Sequence, residues 1–314
     1  MNMSRALAPT GLVGLALVVS GCGSATGASS GTPGPAGSKV SVVASFYPLQ
    51  YAAARIGGDH VSITNLTAPG GEPHDLELTP QQVGTIADAN LVLYIKDFQP
   101  AVDDAVNQSA ATTSLDVSQG IARLPLPPTQ VAEAKDAGGP VPINDPHIWL
   151  DPLNMTAIGN AVAKRLSTID PANSSTYDAN AASLTTDMSA LDAHWSAGTK
   201  SCANKNLVVS HEAFGYLSKR FGFSQLGIAG LTPDAEPSTA KVAEVADFVR
   251  AHNVKTIYYE TLVDPKVAQT VASETGAKTA VLDPLEGLAA GSNASYLTVM
   301  DDNLTAVRQG QPCS

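Results

Sequence analysis

From residue 39 onward, short runs of β-branched and aliphatic residues alternate with stretches whose apolar positions recur every three or four residues. KVSVVAS (39–45), VSITNL (61–66) and LVLYI (91–95) have the length and composition of strands. Residues 49–56 read as a helix stopped by Gly57-Gly58. Residues 80–87 read as a helix with Pro80 at its first position, where a missing N–H leaves nothing unbonded. Strands alternating with helices predict a parallel sheet covered by helices.

The pattern recurs. VVASFYPLQYAAARIGGDHVSITNLTAPGGEPHDLELTP (42–80) and VVSHEAFGYLSKRFGFSQLGIAGLTPDAEPSTAKV (208–242) both run strand, aromatic-bearing helix, Gly stop, strand and Gly/Pro-rich loop. LVLYIKDFQP (91–100) likewise parallels TIYYETLVDP (256–265). The expected fold class is α/β, with two lobes that each carry a parallel sheet flanked by helices. Between them, Tyr177, Ala181, Leu184, Met188, Leu191 and Trp195 fall at spacings of three or four after Pro171. A helix over 172–197 would be about 35–40 Å long and could brace two lobes. The expected organisation is an N-terminal lobe over 39–170, a linking helix over 171–199 and a C-terminal lobe over 200–314. Residues 120–145 read as a long loop containing five Pro.

Composition narrows the partners. The 314 residues suffice for about two domains. With 44% apolar and 15% charged residues, wholesale disorder is excluded. The net charge of −11 argues against nucleic acid, which needs a basic stripe, and against surface binding to anionic lipid. It suits a cationic ligand.

The N-terminus sets the compartment. Arg5 precedes an apolar run over 6–19, too short to span a bilayer core of roughly 30 Å comfortably. It ends in Val19-Ser20-Gly21-Cys22, which resembles a bacterial lipobox and implies a signal peptide over 1–21 and a lipid on Cys22. An ordinary secretory signal is the alternative. Residues 23–38 contain only Gly, Ser, Ala, Thr and Pro, the composition of a tether reaching roughly 20–24 Å. Two cysteines remain, Cys202 and Cys313. In an exported protein their simplest fate is one disulfide, and two unpaired thiols are the alternative.

Three of the six histidines differ from the rest in setting. His74 lies in APGGEPHDLELTP after the strand 61–66, His147 in NDPHIWLDP at the end of the long loop, and His211 directly after NLVVS. Asp283 follows the strand TAVL in the same manner. In parallel α/β sheets the loops leaving the carboxyl ends of strands build the binding crevice. Three neutral imidazoles and one carboxylate suit tetrahedral Zn²⁺. Four unrelated loop residues are the competing reading.

These residues carry a family resemblance. SFYPLQYAAARIGGD, GGEPHDLELTPQQ, DPHIWLDP, SHEAFGYLSKRFG, AEPS and VLDPLEG, in this order, resemble the solute-binding proteins of zinc/manganese ABC importers, the ZnuA/TroA-like class. The resemblance implies two α/β lobes joined by a rigid helix, with metal held between them by His74, His147, His211 and Asp283. It implies a monomeric, lipid-anchored, extracytoplasmic receptor that delivers metal to an ABC transporter permease, and no enzymatic activity. Manganese-type members usually carry Glu at the third position; His211 points to zinc, with Mn²⁺ a possible cargo. A zinc hydrolase and an adhesin are the readings from other classes. One departure stands out: residues 101–146 contain no His, whereas many zinc-type members carry a His-rich loop there.

Overall fold

The computed structural model describes residues 39–126, 131, 143–233 and 236–313. The expected leader, Cys22 and tether lie outside these residues, as do 127–130 and 132–142 of the long loop. The described residues form one compact unit.

Two four-stranded parallel sheets organise it. The first contains β1 (Val40–Ala44), β2 (Val61–Asn65), β3 (Leu91–Tyr94) and β4 (Ser114–Asp116), in the order β2-β1-β3-β4. The second contains β5 (Asn206–Val209), β6 (Ser224–Gly227), β7 (Thr256–Tyr259) and β8 (Lys278–Val281), in the order β6-β5-β7-β8. The two orders are the same, as the internal repeat implies. The central strands β1, β3 and β5 are buried almost throughout, which is why they read as continuous apolar runs. Strand β4 was not legible in sequence: Ser-Leu-Asp is short and half-buried, and only its pairing with β3 makes it a strand.

The helix expected over 172–197 is Ser174–Thr199, entered through a 3₁₀ turn at Pro171–Asn173. Its buried stripe is Tyr177, Ala181, Leu184, Met188, Leu191, Trp195 and Thr199. It packs along the helix Pro152–Ile169, touching Tyr47–Gly57 of the first lobe and Tyr296–Gly310 of the second. Gly159 permits the close approach, since a Cβ there would lie 2.4 Å from Leu184 Cδ2. One apolar core therefore runs through both lobes, from Leu93 and Trp149 through Leu184 to Leu207 and Met300. Lobes sharing a core move apart only by exposing it, so wide opening is costly.

Cys202 and Cys313 form a disulfide across 111 residues. It ties the end of the helix Tyr296–Gly310 to the segment entering β5, at the opposite end of that strand from His211. A closed loop of this length is worth up to about 4–5 kcal/mol in the chain-entropy model. Reduction should lower the melting temperature by up to roughly 8 °C and leave metal stoichiometry unchanged. Two titratable thiols in the denatured, unreduced exported protein would contradict the pairing.

Candidate metal centre

All four groups that meet between the lobes leave the carboxyl side of the sheets. His74 lies in the loop between β2 and the helix Pro80–Asp88. Both ends of that loop are pinned. Thr79 and Gln82 form a reciprocal cap, and Gln82 Nε2 also donates to the Leu66 carbonyl at 2.9 Å. Gln99, buried at the exit of β3, donates to the Pro73 carbonyl at 3.1 Å and to Thr67 Oγ1 at 3.3 Å. The carboxylate of Glu72 accepts the backbone N–H of His74 and of Asp75, at 3.0 and 3.1 Å. The imidazole of His74 stands edge-on to Phe98, with ring centroids 4.7 Å apart.

His147 and His211 are each oriented by a buried carboxylate. Asp145 Oδ1 accepts the His147 backbone N–H at 2.9 Å and lies 2.8 Å from Nδ1 of the same residue. Glu260, directly after β7, lies 2.8 Å from His211 Nδ1 and accepts Ser210 Oγ at 2.6 Å. With Nδ1 engaged, Nε2 of both rings faces the cleft, the arrangement by which outer carboxylates orient metal-binding imidazoles. Gly215 of the second lobe makes room for Asp145, since a Cβ at 215 would lie 2.3 Å from Asp145 Oδ2.

The fourth group corrects the sequence expectation. The structure gathers His74, His147, His211 and Glu286, all buried, with their candidate ligand atoms within 4.8 Å of one another. Asp283 is not among them. Its Oδ1 accepts the Leu285 N–H at 2.7 Å and its Oδ2 accepts Thr261 Oγ1 at 2.8 Å. Its backbone is bonded on both sides by the amide of Asn303, at 2.8 and 2.7 Å. Asp283 thus builds the turn, and Leu285, at φ 58°, swings the chain so that Glu286 points inward. A left-handed Leu costs about 1–2 kcal/mol, a strain of the kind found where a site dictates the backbone. Asp before Pro is a common turn initiator, but the sequence alone does not separate the two carboxylates of LDPLEG.

The geometry of the four atoms is informative. Glu286 Oε1 lies 3.2 Å from Nε2 of His74, of His147 and of His211, and the Nε2 atoms of His74 and His147 are 3.4 Å apart. Metal bonds of about 2.0–2.1 Å in a regular tetrahedron give edges of roughly 3.3–3.4 Å. Four of the six edges therefore have the size of a tetrahedral zinc site.

Electrostatics follow from burial and proximity. For His211, burial disfavours the cation, but Glu286 and Glu260 overcome it and raise its pKa to about 10. Burial also works against protonated His147, and its hydrogen bonds to the Asp145 and Glu286 carboxylates raise it on balance. At His74 burial wins, and its pKa falls below the ordinary value. Burial disfavours ionised Glu286, yet the surrounding imidazoles hold its carboxyl well below the usual range.

A model of the family "Zinc-uptake complex component A periplasmic" matches residues 42–310. The chain belongs to the ZnuA family. It is 33% identical over 305 residues to the high-affinity zinc uptake system protein ZnuA of Bacillus subtilis, covering 93% of each chain. It is 32% identical over 283 residues to the zinc-binding lipoprotein AdcA of Streptococcus pneumoniae, covering 86% of this chain and 56% of that protein, about half its length. Among solved structures, the laminin-binding protein Lmb of Streptococcus agalactiae superposes with a TM-score of 0.76 at 32% identity, covering 87% of this chain and 99% of that one. Lmb is described as bifunctional, with adhesin and metal transporting activity. ZnuA-family membership accounts for the two-lobed α/β fold with its long helix, which the sequence pattern had led us to expect.

Proposed function

We propose that this ZnuA-family chain is an extracytoplasmic receptor that captures one Zn²⁺ between its lobes and delivers it to an ABC-type importer. The observation that carries the reading is the buried His74–His147–His211–Glu286 tetrahedron, with edges of 3.2–3.4 Å where they are formed around Glu286 Oε1 and between His74 and His147. Three imidazoles favour zinc over manganese, which prefers more oxygen ligands and a larger coordination number. Four protein ligands fill the tetrahedron, whereas a catalytic zinc keeps a position open for water, so the arrangement supports carriage and not hydrolysis. No helix among the described residues is long and apolar enough to cross a membrane. A diacylglyceryl group on Cys22, with 23–38 as tether, would hold a monomeric receptor beside its permease.

Titration of metal-free protein with Zn²⁺ in the presence of Mn²⁺ tests the reading. One zinc should bind per chain, and a hundredfold excess of Mn²⁺ should leave it bound. Failure to bind zinc, or displacement by equimolar Mn²⁺, would overturn the assignment.

A further inference from the structure

Trp149 sits two residues after His147, fully buried, with its ring 5.1 Å from that imidazole and 4.7 Å from Phe46. It belongs to the first lobe by chain and packing, yet its indole N–H crosses to the second and donates to the Pro284 carbonyl at 2.7 Å. Pro284 lies in the turn between Asp283, which closes it, and Glu286, which it presents. Tyr296, on the last helix of the second lobe, returns the contact by donating its hydroxyl to the Trp149 carbonyl at 2.6 Å. The 3₁₀ turn Ile148–Leu150 keeps Trp149 and His147 in fixed relation.

We propose that Trp149 is a positioning residue for Glu286: its indole N–H clamps the Asp283–Glu286 turn and so couples placement of the His147 imidazole in one lobe to placement of the carboxylate in the other. The proposal rests on the zinc-receptor reading above. Asp283, Thr261 and Asn303 hold the turn from within the second lobe; the Gly70 N–H of the His74 loop donates to the Leu288 carbonyl at 2.8 Å, beyond Glu286, and does not reach the Asp283–Leu285 turn itself. The Trp149 bond relates that turn directly to the first lobe, and a buried N–H to carbonyl bond of this length is directional enough to fix the turn. Its loss leaves the turn free to shift by tenths of an ångström, at a site where tetrahedral closure requires all four atoms together.

The test is a double-mutant cycle on the full chain, read by zinc affinity and by the visible spectrum of the Co²⁺-loaded protein. Trp149→Phe should weaken zinc binding about 10–100-fold, the range typical of partners that orient metal ligands. It should also weaken the intense bands of four-coordinate Co²⁺. In a Glu286→Gln background the same substitution should cost no more than ~3-fold, because the group it positions is gone. Benzothienylalanine at position 149, which replaces the N–H by sulfur while keeping the shape, should reproduce the Phe result and covers the case in which Phe packs poorly. Additive losses, or a Co²⁺ spectrum and zinc affinity unchanged by benzothienylalanine, would overturn the proposal while leaving the receptor reading intact. Wild-type protein that binds no zinc would overturn both.

Discussion

Glu286→Gln is expected to weaken zinc binding by ~100-fold or more, exceeding what loss of an outer partner typically costs. Asp283→Asn is expected to cost no more than ~10-fold, the low end of what losing an outer partner costs, because the substitution is nearly isosteric. The difference follows from what each carboxylate touches. Glu286 Oε1 lies 3.2 Å from three imidazole nitrogens, and replacing it with a neutral amide removes both the anionic ligand and the charge that balances the cation. Asp283 accepts the Leu285 N–H and the Thr261 hydroxyl, and an Asn retains an oxygen for the first of these. Isothermal titration of both variants, with circular dichroism to confirm folding, separates the two roles. Equal losses, or a larger loss for Asp283→Asn, would return Asp283 to the ligand set.

Zinc affinity should fall at least ~10³-fold between pH 8 and pH 5. Only neutral imidazole binds metal, so each proton that zinc must displace makes affinity change tenfold per pH unit. The His211 pKa is raised to about 10 in the metal-free site by Glu286 and Glu260, despite burial. His211 is therefore protonated throughout this window, and its proton alone accounts for one decade per unit over three units. Affinity rises with pH up to about 10, where that proton leaves by itself. His147, also raised, adds to the slope, and His74, lowered by burial, adds only at the acid end. Glu286 is ionised across the range and contributes no proton. Competition titrations at half-unit intervals, with proton release measured from the dependence of binding enthalpy on buffer, check both slope and sign. A flat profile between pH 8 and 6 would mean that no histidine carries a displaced proton there.

The strand-and-helix alternation, the internal repeat and the long helix were legible because each is a local pattern. Apolar runs such as Leu91–Tyr94 and the stripe from Tyr177 to Trp195 record in sequence which face is buried. The three histidines were legible because each lies just past a strand or at a loop end, where parallel sheets place their ligands. The two cysteines were legible by count. Tertiary structure alone decided which acid completes the cluster. Asp283 and Glu286 are both carboxylates three residues apart at one strand exit, and residue type and spacing do not separate them. What separates them is direction. Asp283 bonds forward to the Leu285 N–H, Leu285 takes a positive φ, and the chain turns so that the next carboxylate enters the cleft. The partners Glu260 and Trp149 were hidden for the same reason. Glu260 meets His211 across 49 residues and Trp149 meets Pro284 across 135, contacts set by the packing of two sheets around one helix rather than by anything adjacent in the chain.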